Sequence, residues 1–546
     1  MALAVTGMAW ALAPAWGEDA PKWGAHLDLE GKLGTKRHLG EVDLFLPVLQ
    51  DGRNLLFANI RTRMDDEGSR EGNFGLGLRH MLESGWNLGG YGYFDRRRSE
   101  MDNYFNQVAL GADALSLDWD VRGNVYLPMG RTTRNADSLN TAEISGASVI
   151  FRGGEERALG GFDAEIGWRV PLFEVEAGQQ LRFYAGGYRF ADEGVPMVAG
   201  PRGRAELVFD EVPGLWEGSR LSFGAEWQHD EPRGSQGFLT ARLRIPLQSE
   251  TRTSSLTAME RRMADPIVRD VDIVSQAGTF GATETATATN GGAITVINSS
   301  TVSGADLKAA LASAGAGNTV VLSGTFNTTY AAVTDTVEVA LNQTVMGAGD
   351  LVVRSSSGRT ATLSNSTGAT INATISGANN AALIMRDGST LTGMTITAIR
   401  GGNVINVYGV NVGDISPAGG GANGVTIANN VITVSSDTLN VAAVRITNAS
   451  QNVTVTGNTI SATRSGAASV NSAIGLLIDD NSTATIANNS FAAYGNNTLM
   501  AVYRSDSTAL AGSTGNVFVS GTCFIGNPNT GSVGYTDAGG ASGTCP

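Results

Sequence analysis

The chain has 546 residues, which is too long for one ordinary domain and predicts at least two folding units. Its formal net charge is −14, and only 16% of its residues are charged. Because so acidic a chain offers little positive charge to neutralise phosphate, no nucleic-acid partner is expected.

Residues 1–17 have the features of a secretory signal peptide. An apolar run ends in small residues, where Ala-Pro-Ala at 13–15 fits the A-x-A cleavage pattern and 15–17 is a second option. The lack of Lys or Arg before Lys22 departs from an ordinary signal peptide. A buried first helix is the alternative, although strand patterning follows at once. Beyond this segment no apolar run reaches about 18 residues, so a membrane-spanning domain would have to be a closed barrel.

Residues 18–249 are predicted to form an antiparallel β-barrel. From Trp119 to Leu127, apolar residues or glycine occupy the odd positions and mostly polar or charged residues the even ones, which places the two classes on opposite faces of a strand. Such segments run for about 9–12 residues, a length that spans a bilayer when tilted, and aromatic residues gather near their ends. Thirteen candidate strands fall between Trp23 and Leu247. Because single-chain bacterial barrels have an even number of strands, twelve are expected.

Many charged residues lie on the polar faces of these strands. An arginine facing lipid near the membrane midplane costs roughly 2–4 kcal/mol, so these side chains are predicted to face a wet lumen. The apolar residues between them would then face the lipid. The charged positions are Arg122, Glu165, Arg169, Arg204, Glu206, Glu226, Arg242 and Arg244.

Residues 250–276 are predicted to be a linker that occupies the pore. A short helix is expected within 250–263, Pro266 prevents its continuation, and the following residues have an extended pattern. Charged side chains on this segment match a charged lumen; an ordinary exposed interdomain linker is the alternative. The pore-linker candidates are Met259, Glu260, Arg261, Arg262, Met263, Pro266, Arg269 and Asp270.

Residues 23–275 resemble the translocator domain of inverse autotransporters, the family of intimin and invasin. The likeness is carried by 85–95 (GWNLGGYGYFD), 110–113 (LGAD), 125–128 (VYLP), 182–188 (RFYAGGY), 234–238 (GSQGF), 242–247 (RLRIPL) and the linker residues Arg261, Arg262, Met263, Pro266, Arg269 and Asp270.

This resemblance implies a twelve-stranded barrel in the bacterial outer membrane, with a linker that threads the pore and leads a C-terminal passenger to the cell surface. It also implies outer-membrane lipid and lipopolysaccharide, the barrel-assembly machinery and periplasmic chaperones as partners. No peptidoglycan-binding module or string of immunoglobulin-like repeats is visible in the sequence, so those properties of intimin are not carried over.

Residues 277–546 differ in composition and are predicted to form the passenger. They contain 12 acidic and 8 basic residues and are rich in Ser, Thr, Asn, Gly and Ala, whereas every tryptophan and histidine lies before residue 230. The segments 425–434 (VTIANNVITV), 453–462 (VTVTGNTISA) and 484–493 (ATIANNSFAA) repeat one theme. Such internal repetition indicates a stacked architecture.

A right-handed parallel β-helix is the predicted fold of this passenger, so the whole chain is expected to be all-β. The asparagines Asn430, Asn458, Asn489 and Asn516 are spaced 28, 31 and 27 residues apart, so one can hydrogen-bond to the next at a corner of each coil. A set of β-sandwiches is the alternative, and the near-constant spacing argues against it. Residues 307–321 resemble the capping helix and first strand of pectate-lyase-like β-helices.

The only two cysteines, Cys523 and Cys545, are candidates for a disulfide at the distal end of the passenger. Such a pair suits an oxidising compartment. Two unpaired surface thiols are the alternative.

The passenger contains no convincing catalytic site. Glycoside hydrolysis needs two positioned carboxylates, and the best candidates are the doublet Asp479-Asp480 with Asp506. Hydrolases of this fold also need a histidine and a basic cluster, whereas the passenger has no histidine and scattered arginines. A solvated turn between coils is therefore the preferred interpretation of the doublet. No catalytic residue, metal ligand or cofactor is assigned.

The predicted function is export and surface display of the chain's own passenger, for adhesion or biofilm contact with an unknown extracellular glycan or protein. Two alternatives remain open at this point. One is a surface-displayed polysaccharide lyase or hydrolase, and the other is a channel with a plug domain.

Overall fold

The computed structural model describes residues 22–247, 256–270, 272–377, 379–402, 406–416, 419–437, 440–466, 472–479, 481–495, 498–505, 508–510, 512–525 and 529–545. The predicted signal peptide and residues 250–255 of the predicted linker lie outside them. The chain divides into two compact units. The first, here the barrel unit, comprises residues up to 139 and 154–281, and the second, the C-terminal unit, comprises 140–153 and 282–546.

Sixteen strands precede the linker. They are β1 His26–Gly34, β2 Leu39–Gln50, β3 Asn54–Asp65, β4 Arg70–Met81, β5 Trp86–Arg98, β6 Tyr104–Ser116, β7 Trp119–Met129, β8 Thr133–Asn135, β9 Thr141–Ser145, β10 Ser148–Arg152, β11 Glu155–Ala158, β12 Gly160–Val170, β13 Gln179–Ala191, β14 Val198–Asp210, β15 Arg220–Asp230 and β16 Gly234–Pro246.

Twelve of these strands, β1–β7 and β12–β16, form a closed antiparallel barrel. Each strand pairs with its neighbours along the chain, and β1 also pairs with β16 from His26↔Pro246 to Gly34↔Phe238. Closure leaves no strand edge with unpaired backbone groups, which is the condition for a sheet to cross a bilayer. The prediction of a twelve-stranded antiparallel barrel is confirmed.

The two faces of the barrel differ as the alternation predicts. Outward side chains such as Leu76 and Leu239 are 63% and 64% exposed. The charged side chains between them are buried, as Glu165 is, or half-buried, as Glu206 is. Arg122 of β7 is 5% exposed and lies 2.9 Å from Glu165 on the neighbouring strand β12. Arg169 is different, because it pairs with the exposed Asp118 at 2.7 Å beside the end of β12.

The described helices are short. α1 (Ala258–Arg261) is followed by a single 3-10 turn at Arg262–Ala264, and α2 (Leu307–Ala314) precedes the long strand of the C-terminal unit. In the described part of the chain, no helix is long and apolar enough to cross a membrane.

The remaining strands follow the linker. They are β17 Ser275–Gly278, β18 Thr283–Thr285, β19 Thr287–Ala288, β20 Ile294–Asn298, β21 Thr319–Tyr330, β22 Val337–Val339, β23 Thr344–Met346, β24 Gly349–Arg354, β25 Thr360–Asn365, β26 Ala369–Ile375, β27 Asn380–Met385, β28 Thr390–Thr392, β29 Met394–Arg400, β30 Asn406–Val412, β31 Thr426–Ala428, β32 Val431–Ser436, β33 Asn440–Ile446, β34 Val453–Thr456, β35 Thr459–Arg464, β36 Ala473–Ile478, β37 Thr483–Ala487, β38 Ser490–Gly495, β39 Leu499–Arg504, β40 Ala509–Leu510, β41 Asn516–Ser520, β42 Thr522–Ile525, β43 Val533–Asp537 and β44 Ser542–Cys545.

The C-terminal unit is built mainly from parallel strands in three stacks. One contains β23, β28, β31, β34, β37 and β40, the second β26, β29, β32, β35, β38 and β41, and the third β22, β27, β30, β33, β36, β39 and β42. Strand β21 joins the first two stacks.

Equivalent residues lie above one another inside these stacks. In the second stack, Ile371, Ile396, Ile432, Ile460 and Phe491 are successive register partners and are all fully buried. A continuous apolar core of this kind supports a repeat architecture in which each repeat contacts its neighbours. The arrangement is compatible with the predicted β-helix.

Candidate functional site

The linker enters the barrel unit as a capped helix. The Thr257 hydroxyl accepts a hydrogen bond from the Glu260 backbone N–H, and the Glu260 carboxylate accepts one from the Thr257 backbone N–H at 2.9 Å. This reciprocal capping box satisfies donors at the start of a helix that is only four residues long. It explains why helical structure begins after Thr257.

Residues before the first barrel strand and residues of the barrel wall and turns hold this helix in place. The Lys22 ammonium donates to the Glu260 carboxylate at 2.7 Å, and the Trp23 indole donates to the Glu260 carbonyl at 2.8 Å. The Asn87 amide of β5 donates to the Met259 carbonyl at 3.1 Å. Arg261 lies 3.5 Å from Glu176 and 3.7 Å from Asp210, which belong to turns or strand ends of the barrel.

Arg262 and Met263 lie deeper in the lumen. The Arg262 guanidinium lies 2.7 Å from the Asp120 carboxylate and donates to Asp265 at 2.9 Å. Met263 is fully buried, and its carbonyl accepts a hydrogen bond from Arg79 of β4 at 2.9 Å. Pro266, three residues further along, is half-buried and lines a cavity together with Arg122 and Arg182.

A fully buried bidentate contact between linker and wall joins Arg269 to Asp95 of β5. The two guanidinium nitrogens donate to the two carboxylate oxygens at 3.0 and 2.7 Å, and both side chains are fully buried. The guanidinium also lies 4.1 Å from the centre of the Tyr93 ring. A bidentate pair stacked on an aromatic ring fixes both the position and the orientation of the arginine.

The following residues lead to the opposite end of the barrel. The Asp270 backbone N–H donates to the Tyr126 hydroxyl at 2.6 Å. The Ile273 N–H donates to Glu71 at 2.8 Å, and its carbonyl accepts from Arg97 at 2.6 Å. Strand β17 then pairs antiparallel with β11, from Ser275↔Ala158 to Gly278↔Glu155.

Strand β5 shows the direction of the linker most directly. Along this strand Asn87, Asp95 and Arg97 contact Met259, Arg269 and Ile273, in that order. The linker therefore runs along the inside of the barrel from one end to the other. Backbone carbonyls and charged side chains of the linker are hydrogen-bonded by the wall throughout.

Sequence reasoning did not identify the wall partners of the linker. The missed residues are Arg79, Asp95, Arg97, Asp120 and Glu71, each at a buried inward position. The alternation places such residues on the lumen face, but it does not say which of them meets a given linker residue. The only signal in the sequence was the excess of charged residues at inward positions of the barrel, together with the charges on the linker.

The four spaced asparagines form one buried ladder in the C-terminal unit. The Asn430 side chain donates to the Asn458 Oδ1 at 3.0 Å, Asn458 to Asn489 at 2.9 Å, and Asn489 to Asn516 at 3.1 Å. Each amide nitrogen also donates to a backbone carbonyl one repeat away, as from Asn458 to Ile427 at 2.8 Å. The ladder pairs polar atoms that lie in an otherwise apolar interior.

The residue before each ladder asparagine explains the local sequence. Asn429, Gly457, Asn488 and Gly515 all have φ between 58° and 74°. This left-handed conformation favours glycine or asparagine and produces the corner that turns the next side chain inward. The recurring Asn-Asn and Gly-Asn pairs are therefore the sequence signal of the corner.

The cysteines lie at the distal end of the C-terminal unit. Cys523 in β42 and Cys545 in β44 form a disulfide with their Cα atoms 5.8 Å apart. Cys545 is fully buried against the core.

Only one of the three candidate carboxylates lies in the described residues. Asp479 lies 3.2 Å from Arg445, and Asp480 and Asp506 lie outside the described residues. A second charged cluster joins Arg386 to Glu338 at 3.0 Å and to Asp414, and the hydrogen bond from Arg386 lowers the pKa of Asp414. Within the described ranges, no group of three or more His, Cys, Asp or Glu residues is placed to hold a metal ion.

Comparison with known proteins supports the barrel assignment. Residues 22–193 match the family model described as inverse autotransporter, beta-domain. The comparison with curated proteins finds no match.

Several solved outer-membrane structures show a weak likeness. A KdgM porin in complex with disordered oligogalacturonate is 8% identical, with 41% of this chain and 99% of that chain covered and a TM-score of 0.25. An outer membrane channel from Pseudomonas putida F1 is 13% identical, with 43% and 98% covered and a TM-score of 0.29. The outer membrane phospholipase of Salmonella typhi is 12% identical, with 42% and 94% covered and a TM-score of 0.26. At these scores the likenesses carry no inference about this chain.

Proposed function

We propose that the barrel exports the C-terminal unit of its own chain to the cell surface. The premise is that the barrel is an inverse autotransporter β-domain, located in the bacterial outer membrane and in contact with its lipids. The linker occupies the pore, and the C-terminal unit acts there by contact, as an adhesin or biofilm component. Lipopolysaccharide, the barrel-assembly machinery and periplasmic chaperones are the proposed partners in the envelope.

One observation supports this proposal above the others. The linker contacts Asn87, Asp95 and Arg97 of β5 in chain order, as expected of a segment that passed through the barrel and stayed there. An exposed interdomain linker would have no reason to bury Arg269 completely against the inner wall. Burial of such a charge is favourable only when the wall supplies its partner.

Protease treatment of intact cells tests the export. Full-length protein is expressed with an epitope tag at its C-terminus, and cells are treated with proteinase K before and after permeabilisation of the outer membrane. We expect the tag to be removed from intact cells while the barrel remains in the membrane. Protection of the tag until permeabilisation would contradict export.

Loss of the C-terminal unit tests the contact function. Cells that display the full chain are compared with cells that carry a chain ending after residue 281, in autoaggregation and in attachment to glycan-coated and matrix-coated surfaces. We expect attachment or aggregation only with the full chain. Equal behaviour of the two strains on every surface would contradict a contact role.

The two alternative functions receive less support. For an enzyme, the one candidate carboxylate among the described residues, Asp479, lies in an ion pair with Arg445 at 3.2 Å. For an open channel, the linker would have to leave the barrel, because it lies along the interior from Met259 to Ile273.

A further inference from the structure

The connection between barrel strands β7 and β12 carries a hairpin that belongs to the C-terminal unit. The chain leaves the barrel unit after Leu139 and returns to it at Gly154. Between these points β9 and β10 pair antiparallel, from Ser145↔Ser148 to Thr141↔Arg152. The C-terminal unit is therefore built from two separate parts of the sequence.

Backbone hydrogen bonds join this hairpin to the first strands after the linker. Strand β10 pairs antiparallel with β18, with Ile150 opposite Thr285. The Ala286 N–H donates to the Val149 carbonyl, and the Val296 N–H donates to the Ala147 carbonyl, both at 2.9 Å. The hairpin thus supplies hydrogen-bond partners along what would otherwise be an open strand edge.

The side chains of the hairpin differ sharply in burial. Val149 and Phe151 are fully buried in a cluster with Ile294, Val321, Met346, Val353 and Leu363. On the other strand Ile144 is 39% exposed. The Asn140 amide fixes the start of the hairpin by donating to the Thr360 carbonyl at 2.9 Å.

Local sequence makes this hairpin able to form early. A two-residue turn at Gly146-Ala147 closes it, and Gly146 has a φ of 61°, as turns of this length require at their first position. Such local pairing forms within about 1–10 μs. By contrast, β21 pairs with β26, 45 residues further along, so the parallel stacks depend on distant pairings that form slowly.

We propose that the hairpin 141–152 is the template on which the C-terminal unit begins to fold. It precedes the rest of that unit in the chain and is covalently held at both ends by barrel strands, so it is in place before residue 282 leaves the pore. Strands β18 and β20 add to it first, and the parallel strands then stack on one another. This inference rests on the proposed export function.

The test follows the folding of the full-length chain at the cell surface after a radioactive pulse. The variant Val149→Asp/Phe151→Asp disrupts the buried side chains, Ile144→Asp places the same carboxylate at an exposed position of the neighbouring strand, and Phe151→Leu conserves an apolar residue. Surface arrival is read from an accessible C-terminal tag, and folding from a protease-resistant C-terminal fragment. Heat-modifiable electrophoretic mobility verifies that the barrel is folded in each variant.

We expect the double variant to reach the surface normally but to form the resistant fragment at least roughly tenfold more slowly, because its first strands meet an unpaired buried carboxylate. Ile144→Asp and Phe151→Leu should behave like the wild type. Folding of the double variant at the wild-type rate, or equal slowing in Ile144→Asp, would overturn the template. A fragment that forms at the wild-type rate but melts earlier would make the hairpin only a cap and also overturn it. An inaccessible tag on the wild-type protein would instead refute export itself, and the template with it.

Discussion

Replacement of Arg269 by alanine is expected to loosen the linker inside the barrel. Arg269 makes two hydrogen bonds to Asp95, at 3.0 and 2.7 Å, and both side chains are fully buried. Removing one partner of a buried ion pair costs about 3–5 kcal/mol, because the other charge remains buried without compensation. At about 1.4 kcal/mol per factor of ten, the population with a displaced linker rises by roughly 10²–10⁴.

This range is an upper limit because the Asp95 carboxylate keeps two other hydrogen bonds. The amides of Asn73 and Gln107 donate to it at 2.7 and 3.3 Å. Planar-bilayer recording of the purified full-length protein measures the effect as the frequency of open-channel events. The wild type should be almost closed, and Arg269→Ala should open far more often.

Arg261→Ala is the matched control. Arg261 lies 3.5 Å from Glu176, which is 67% exposed, and 3.7 Å from Asp210, so it makes no close bidentate pair like that of Arg269. An exposed ion pair contributes about 0–1 kcal/mol. The double variant Arg269→Ala/Asp95→Asn should close more often than Arg269→Ala alone, because no lone buried carboxylate remains. If Arg269→Ala opens no more often than Arg261→Ala, the linker does not seal the barrel through this contact.

Three further predictions concern other parts of the chain. Asn458→Ala should lower the temperature at which the C-terminal unit becomes protease-sensitive, since each buried partner left without a hydrogen bond costs about 1–3 kcal/mol. Asn372→Ala, which removes an exposed hydrogen bond to Asn327, should not, and equal shifts would refute a stabilising ladder. Leu239→Arg, on the lipid-facing side, should reduce the yield of folded barrel by a cost of about 2–4 kcal/mol, whereas Leu172→Arg in a turn should be tolerated; normal assembly of both would contradict the membrane placement. The pKa of Asp414 is lowered by its arginine partner, so its contribution to stability is present above the ordinary value of 3.8 and lost as the pH falls through the lower folded-state value; thermal melts from pH 6 to about 2 should fall more in the wild type than in Asp414→Asn, and parallel curves would exclude the effect.

The barrel could be predicted from the sequence in more detail than the C-terminal unit. Because side chains alternate along a strand, Arg122 and Leu239 are assigned to opposite faces of the barrel. The cost of placing an arginine in lipid then decides that Arg122 faces the lumen. The same pattern gave thirteen candidate strands, and the rule that single-chain barrels have an even number reduced them to twelve. In the C-terminal unit the spacing of the asparagines indicated stacking, but strands of the third stack such as β27 and β36 are buried along their whole length and show no alternation.

The sequence by itself determined which residues face lipid and lumen and which asparagines recur, because these follow from local periodicity and spacing. Only the tertiary structure decided that Arg269 meets Asp95, 174 residues earlier, and that Ile150 pairs with Thr285. Neither partner is marked by its own neighbourhood in the chain. The choice depends on shape and charge over the whole closed barrel and the whole stack, where many inward carboxylates and several open strand edges would satisfy a local pattern equally well.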